Sequence, residues 1–288
     1  MQISFHTDAF NSAAWSFEDA LQWAQEHDVH RIECGVISGP NWLHGLGYHP
    51  HIALYEDPLM MKQKMAEYDV HFSQIDAAYP LSGRDGPTRG VPYVLESIPW
   101  ASHAGSPRIA TTDGLEAPEN LSDEEAMEMM QRSYEQILEV AEEYGIHINI
   151  ELHGYFTTNP DMLERMLNFV DSPCLGLNFD TGNTFIAGQD PVEFLWRFVD
   201  HVDHVHIKDV SESLAAAARG EDTGIGISHC AIGEGVNADN IRECMKILRD
   251  NGYEGPLSLE CEGEGGPTIN RSLEWVRNTM DELDIPRD

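Results

Sequence analysis

Positively charged side chains are scarce in this sequence. Its 288 residues include 17 Lys and Arg against 50 Asp and Glu, which gives a formal net charge of −33 at pH 7. Binding to nucleic acid depends on Lys and Arg that neutralise phosphates, so this balance excludes a nucleic-acid partner. A surface this acidic is best tolerated where salt screens the repulsion between carboxylates. The composition therefore predicts a halophilic protein, with an ordinary acidic cytosolic protein as the alternative.

The sequence also lacks a disulfide framework and a segment suited to a membrane. Its five cysteines are an odd number without CxxC spacing, which predicts reduced thiols in a cytoplasmic protein. No run of about 18 apolar residues is present to span a bilayer. Residues 1–6 lack the basic region of a signal peptide. We therefore expect a cytoplasmic location and no membrane partner.

What the sequence does contain is an alternation of strand and helix patterns. Hydrophobic residues make up 41% of the chain, enough for a sizeable core. Eight short apolar runs are each followed by an amphipathic segment, and helix-start signals occur at Ser16, Asp57, Ser122, Asn159 and Asp190. Eight such units predict a parallel sheet in a single (β/α)8 TIM barrel domain over residues 1–288. A doubly wound open sheet is the alternative, but the Gly-x-Gly-x-x-Gly pattern expected after its first strand is missing.

Four consecutive predicted strands end in residues that bind hard cations. Residues 148–153 form a buried strand in this interpretation, and Glu151 and His153 share one of its faces as i and i+2. The next three strands end in Asp180, His206 and Glu260. In a barrel the C-terminal ends of the strands meet at one face, so these side chains should converge there. Three carboxylates and one imidazole suit one divalent ion, and unrelated ion pairs at the edge of the core are the alternative.

The sequence around these residues resembles a known family. The pattern comprises Glu151 in Ile-Glu-Leu-His, the turn Asp180-Thr181-Gly182-Asn183, the run His206-Ile207-Lys208-Asp209, Gly233-Glu234-Gly235, and Glu260 in Ser-Leu-Glu-Cys. It resembles the sugar phosphate isomerase/epimerase family, the xylose isomerase-like TIM barrels, over nearly the whole chain.

The resemblance implies a ligand set and a reaction. In relatives such as the ketose 3-epimerases, the residues that match Glu151, Asp180, His206 and Glu260 hold one divalent metal. Mn is the expected ion, ahead of Co, Mg or Zn. The two matching Glu residues also exchange protons with the substrate carbon, which implies catalytic roles for Glu151 and Glu260. The implied function is a metal-dependent sugar isomerase or epimerase that removes a proton next to a carbonyl and passes through an enediolate.

The chain departs from the ketose 3-epimerases at three places. Asn183 stands where those enzymes usually carry a substrate-binding His, and residues 211–229 are an insertion. His153 adds a third catalytic candidate, either as a base beside the metal or as a hydrogen-bond partner of a substrate hydroxyl. These differences leave a lyase or dehydratase as the alternative, because the family includes dehydroshikimate dehydratases and the larger subunits of C-glycoside deglycosidases.

Other polar and aromatic residues are expected to contact a small sugar or keto-sugar substrate. The candidates are Lys208, Asn183, His6, Trp42 and Glu234. Trp42 lies in a long loop, 37–55, of the kind that often carries function. Each candidate has an ordinary alternative, such as a surface ion pair or a packed loop. The sequence leaves the oligomeric state open, and a homo-oligomer is compatible with it.

Two functions of other classes share this predicted fold. A nuclease of the endonuclease IV type needs several zinc ions, more His ligands and a basic groove, and the net charge of −33 argues against it. A non-catalytic carbohydrate-binding barrel has no need of four metal ligands.

Overall fold

The strands form one parallel sheet that closes into a barrel. The computed structural model describes residues 1–10, 15–38, 50–220, 226, 228–261 and 265–287. Within these ranges the strands are β1 Gln2–His6, β2 Arg31–Ile37, β3 Ile52–Ala53, β4 His71–Pro80, β5 Arg108–Thr112, β6 His147–Glu151, β7 Leu175–Asp180, β8 Val202–Ile207 and β9 Pro256–Leu259. The sheet order is β1-β9-β8-β7-β6-β5-β4-β2-β3, with a further pairing of β1 with β2.

The first strand closes the ring by pairing on both of its sides. Gln2 to Phe5 of β1 pairs in parallel with Pro256 to Leu259 of β9, and Ser4 to His6 pairs in parallel with Arg31 to Glu33 of β2. Eight strands therefore form the barrel, and the two-residue β3 lies outside the ring against β2. The prediction of a (β/α)8 barrel is confirmed, and the alternative of an open sheet is wrong.

Helices follow the strands along the chain. They are α1 Phe17–Glu26, α2 Pro58–Glu67, a π-helical turn Gly86–Gly90, α3 Val91–Ala104, α4 Asp123–Tyr144, α5 Pro160–Leu167, α6 Thr181–Ile186, α7 Pro191–Phe198, α8 Glu212–Ala218, α9 Ala238–Asp250 and α10 Pro267–Glu282. Short α6 was not predicted from the sequence, and α8 lies inside the segment 211–229 that was interpreted as an insertion.

The helix starts follow the predicted capping residues. Ser16 and Ser122 each form a capping box with an acidic residue three positions later. Asp57, Asn159 and Asp190 accept hydrogen bonds from the first-turn backbone of helices that begin with proline. Each cap satisfies N–H groups that have no partner inside the helix. The five predicted helix starts are confirmed.

The end of strand β6 was predicted wrongly. Strand β6 ends at Glu151, not at His153. The backbone N–H of His153 donates to the carbonyl of Glu151 at 3.2 Å, so the chain turns immediately after the strand. A Cβ on Gly154 would lie 1.7 Å from Oδ1 of Asp113, so the chain can make this turn against Asp113 only with glycine there. His153 therefore lies in a loop at the C-terminal end of the barrel.

Polar side chains fill part of the barrel interior and are hydrogen-bonded to one another. Gln74 donates from Nε2 to Oε1 of Glu33 at 2.8 Å, and Asn149 donates from Nδ2 to Oε1 of Gln74 at 2.8 Å. At the N-terminal end of the strands, Arg108 binds both carboxylate oxygens of Asp203 at 2.8 and 3.2 Å. These contacts satisfy groups whose burial without a partner would be costly. In the described part of the chain, every helix is too short or too polar to span a membrane.

Candidate metal centre

The four residues predicted to bind metal meet at the C-terminal end of the barrel. Glu151, Asp180 and His206 lie in the last two positions of β6, β7 and β8, and Glu260 follows β9 directly. Each offers one ligand atom, and these four atoms lie within 4.8 Å of one another. All four side chains are buried. Consecutive parallel strands thus bring together residues that are far apart in the sequence.

The imidazole of His206 lies at the middle of this cluster. Its Nδ1 atom is 3.2 Å from Oε1 of Glu151, 3.1 Å from Oε2 of Glu260 and 3.9 Å from Oδ2 of Asp180. Its Nε2 atom is 2.8 Å from Oε2 of Glu33 on β2. An ionised carboxylate only accepts hydrogen bonds, so Nε2 carries the hydrogen that is donated to Glu33. In the neutral ring this leaves the lone pair on Nδ1, facing the three carboxylates.

Two carboxylate oxygens of the cluster have no hydrogen-bond partner among the described residues. They are Oδ2 of Asp180 and Oε2 of Glu260. The other oxygen of Asp180 accepts from the backbone N–H groups of Gly182 and Asn183 at 2.7 and 2.8 Å, which fixes the carboxylate at the start of α6. Buried acceptors that face one another without a donor are costly unless a cation lies between them. The donor set, three carboxylates and one imidazole, therefore fits one divalent metal ion.

Burial and neighbouring charges shift the pKa values of the three carboxylates of the cluster in different directions. Burial and the neighbouring Glu260 raise the pKa of Asp180 well above its usual value. Burial also acts to raise the pKa of Glu260, but Lys208 and His206 outweigh it and hold the pKa well below its usual value. For Glu151, the effect of burial is outweighed by His153 and His206, which lower the pKa. A cation at the centre would favour the ionised form of all three carboxylates.

Glu33 is a residue of this site that the sequence reasoning missed. It is fully buried, and besides His206 it accepts from Gln74 at 2.8 Å and from Oγ of Ser258 at 2.9 Å. Burial alone would raise its pKa, but the imidazoles of His206 and His204 lower the pKa to about 2. Glu33, His204 and His206 also form a second group with metal-ligand geometry, which shares His206 with the first. The available signal was an acidic residue in the middle of an apolar strand.

A basic side chain lies beside each of the two glutamates of the cluster. Nδ1 of His153 is 3.2 Å from Oε1 of Glu151, although the atoms are not aligned as a hydrogen bond. Burial lowers the pKa of His153, but Glu151 outweighs burial and raises the pKa to about 9. Nζ of the buried Lys208 donates to Oε1 of Glu260 at 3.1 Å.

The other predicted substrate residues lie at different distances from the cluster. His6 is buried, with its ring centroid 5.8 Å from that of His206, and Oδ1 of buried Asn183 has no hydrogen-bond partner among the described residues. Glu234 is exposed and instead pairs with Arg271 at 2.7 Å, so the structure does not bring it into the cluster. Trp42 lies outside the described residues.

Asp76, at the mouth of the barrel, adds a further titratable group. Burial and Glu151 raise its pKa to about 7. Its Oδ1 atom accepts from the backbone N–H of Ala78 at 2.9 Å. The imidazoles of His6 and His153 act in the opposite direction and lower this pKa. The mouth therefore contains two imidazoles and one carboxyl group in addition to the four candidate ligands.

Residues 11–279 match the family described as xylose isomerase-like TIM barrel. Among curated proteins, an inosose dehydratase from Clostridium botulinum is 27% identical over 157 residues, which cover 53% of this chain and 52% of that protein. The chain spans about half the length of the curated relatives it matches.

Two solved structures share the fold over almost their whole length. A D-tagatose 3-epimerase-like protein has a TM-score of 0.76 at 21% identity, with 99% of this chain and 98% of the other covered. An IolI protein with a bound zinc atom has a TM-score of 0.71 at 14% identity, with 98% of each chain covered. At such identities the likeness is one of fold.

Proposed function

The chain belongs to the xylose isomerase-like TIM barrel family, and from this premise we propose that it is a divalent-metal-dependent enzyme that removes a proton next to the carbonyl of a sugar or keto-sugar. The observation that carries the proposal is the pair of unpartnered buried oxygens, on Asp180 and Glu260, that face Nδ1 of His206. Burial of such a cluster without a cation is costly, whereas one divalent ion would satisfy its oxygens.

Glu151, Asp180, His206 and Glu260 would hold the ion. When bound, it supplies positive charge that stabilises the oxyanion developing on a substrate carbonyl. Such stabilisation is needed because a hydrogen on carbon next to a carbonyl is far too weakly acidic for a carboxylate to remove unaided. Buried walls exclude water and so strengthen every electrostatic contact with the substrate.

The proposed proton-transfer groups are Glu151, Glu260 and His153. Glu151 with His153 and Glu260 with Lys208 form two pairs of a carboxylate and a basic side chain. One pair would remove a proton from the substrate and the other would return a proton or position a hydroxyl. We assign substrate contacts to Lys208, Asn183 and His6, which line the same end of the barrel, and treat residues 1–288 as the catalytic domain.

We place isomerisation or epimerisation first, because one of two carboxylates can remove a proton from one side of a carbon and the other can return a proton to the opposite side. Dehydration is the second candidate, and two observations favour it. The chain is similar to proteins named inosose dehydratase. In addition, His153 offers a third acid or base near Glu151, which could donate the proton that a departing hydroxide needs. Both reactions begin with the same removal of a proton next to a carbonyl.

Solvent deuterium incorporation tests this proposal without assuming a product. The chain, loaded with Mn, Co, Mg or Zn, would be incubated in D2O with a panel of ketoses and cyclic polyol ketones, and exchange would be followed by NMR. We expect metal-dependent deuterium incorporation into at least one substrate. Glu260→Gln should abolish it, whereas Glu274→Gln, which changes an exposed glutamate of α10, should not.

The number of metal ions bound per chain distinguishes the proposed enzyme from a nuclease and from a carbohydrate-binding barrel. One ion per chain fits the proposed enzyme, about three would favour a nuclease, and none would favour a carbohydrate-binding barrel. A chain that binds one ion but exchanges deuterium into no member of the panel would refute proton abstraction from these substrates while leaving the metal centre intact.

A further inference from the structure

A cavity of about 560 Å³ lies at the N-terminal end of the barrel, opposite the candidate metal centre. Its lining includes the first residues of four neighbouring strands, which are Gln2 of β1, Arg31 of β2, His71 of β4 and Arg108 of β5. Lys62 of α2 also lines it. None of its lining residues is Asp or Glu, although the chain contains 50 of them. The cavity is therefore a basic site in a strongly acidic protein.

Two basic side chains of this cavity, Arg31 and Lys62, differ from most Lys and Arg of the chain in their partners. All 17 Lys and Arg lie within the described residues, and twelve of them pair with a carboxylate. The other five, which include Arg31 and Lys62, pair with no carboxylate among the described residues. The side chain of Arg31 donates from Nε to Oε1 of Gln2 at 3.0 Å, which leaves the two terminal nitrogens of the guanidinium for another acceptor.

Two acidic residues that precede β2 and β4 contact His30. Asp28 and Asp69 lie 3.2 and 3.3 Å from the two ring nitrogens of His30, the residue before Arg31. Arg108 pairs with Asp203, which lies outside the lining. The side chain of Lys62 lies near Gly105, the residue after α3, where an added Cβ would lie 3.4 Å from Cε and 3.5 Å from Nζ. Lys62 and Gly105 both line the cavity.

We propose that this cavity binds a small oxyanion, a phosphate or carboxylate group held by Arg31 and Lys62 with His71 and Arg108 at its wall. A guanidinium presents paired N–H donors that match two oxygens of one anion, and an ammonium adds a compact charge. The cavity volume lies in the range of small-molecule sites. The net charge of −33 repels anions at long range, but at 0.15 M salt charges beyond about 8 Å are largely screened, so the adjacent cations dominate.

This site is separate from the proposed catalytic function, since it lies at the other end of the strands. Its test is calorimetric titration of inorganic phosphate into the full chain, with and without metal, at an ionic strength held constant with KCl. We expect one saturable site. Arg31→Gln and Lys62→Gln should each weaken binding by about tenfold or more, the usual loss for one charge-assisted hydrogen bond.

Arg84→Gln is the matched control, because Arg84 is exposed, pairs with no carboxylate among the described residues and lies outside the cavity lining. It should bind phosphate like the unchanged chain. Repeating the titration with succinate distinguishes the two sources of the anion, since binding of phosphate alone indicates a phosphorylated ligand and binding of succinate alone a carboxylate ligand.

Two results would overturn the proposal. One is the absence of saturable binding of either anion at constant ionic strength. The other is equal affinity in all three variants and the unchanged chain, which would place the anion elsewhere, for example at the metal centre. Melting temperatures measured without ligand identify any variant whose loss of binding comes from loss of folding.

Discussion

Glu33 and His206 lie 173 residues apart in the sequence and 2.8 Å apart in the structure. Their contact fixes which ring nitrogen of His206 faces the carboxylates of the cluster. We predict that Glu33→Gln weakens binding of Mn by about 10 to 100-fold, because the amide still accepts a hydrogen bond but no longer supplies the charge that makes the imidazole a stronger ligand. Calorimetry and the EPR spectrum of bound Mn measure the affinity and the coordination.

Glu274→Gln, an identical change at an exposed position, provides the control for Glu33→Gln. The melting temperatures of both variants separate loss of metal from loss of folding. Unchanged Mn affinity in a folded Glu33→Gln variant would contradict a positioning role for Glu33.

His153 is the residue whose role the family resemblance leaves most open. We predict that His153→Gln retains metal but lowers deuterium exchange by about 10²-fold or more, because a positioned base contributes a factor of that order. In the structure Glu151 raises the pKa of His153 to about 9, which favours the protonated ring. A cation on Glu151 would compete for that carboxylate and lower the pKa towards a range in which the ring can accept a proton.

Metal content and exchange rate are measured on the same sample of the His153→Gln variant. If exchange stays near normal with a full complement of metal, the base role belongs to Glu151 and Glu260, as in the ketose 3-epimerases that the chain resembles.

The four candidate ligands could be found from the sequence because each stands at the end of an apolar run, and parallel strands must bring such ends together. Glu33 could not be assigned in the same way. Its importance comes from His206, Gln74 and Ser258, which lie on three other strands, and no local pattern encodes such contacts. The exposed position of Glu234 could not be predicted from the sequence either, because its partner Arg271 lies on α10.

At the scale of the elements, the first turn of α6 packs closely against Lys208, the residue that follows β8. A Cβ on Gly182 would lie 2.5 Å from Cγ and 2.7 Å from Cβ of Lys208, atoms near the backbone that cannot swing away. We predict that Gly182→Ala lowers the free energy of unfolding by about 1 to 3 kcal/mol, the usual cost of overpacking. It should also displace Nζ of Lys208 from Glu260. Denaturant titration measures the loss of stability.

Gly83→Ala is the control for the packing at Gly182, because a Cβ there meets no atom within 4 Å. It should change stability by less than about 0.5 kcal/mol. Equal effects of the two substitutions would show that the turn has room for a side chain.

Helix starts were predictable because a capping side chain acts on its own first turn, as Asp57 and Asn159 do. The end of β6 could not be predicted in this way. It depends on the close approach of Gly154 to Asp113, which lies in the connection after β5. Strand β3, two residues long, leaves too little sequence to form a pattern. Features that depend on interactions within one element could therefore be predicted from the sequence, whereas features that depend on contacts between elements could not.

For the whole molecule, the balance of charge governs the response to salt. The chain contains 50 acidic and 17 basic side chains, so repulsion between carboxylates exceeds their attraction to Lys and Arg even though most Lys and Arg form ion pairs. We predict that the melting temperature rises with KCl over the molar range, because the screening length falls to about 3 Å at 1 M. Differential scanning calorimetry in KCl and in NaCl measures the effect, which should be similar in both salts if screening causes it. A flat or falling melting temperature would remove the halophilic interpretation.

Closure of the barrel also has a consequence for synthesis on the ribosome. β1 leaves the ribosome first, but one of its two partners, β9, begins only at Pro256. At about 5–20 residues per second, the intervening chain takes on the order of tens of seconds to appear. Until then the nascent sheet has two unpaired edges, and such edges pair readily with other chains. A ribosome that stalls before β9 would therefore expose both edges to the nascent chains of its neighbours on the same messenger RNA.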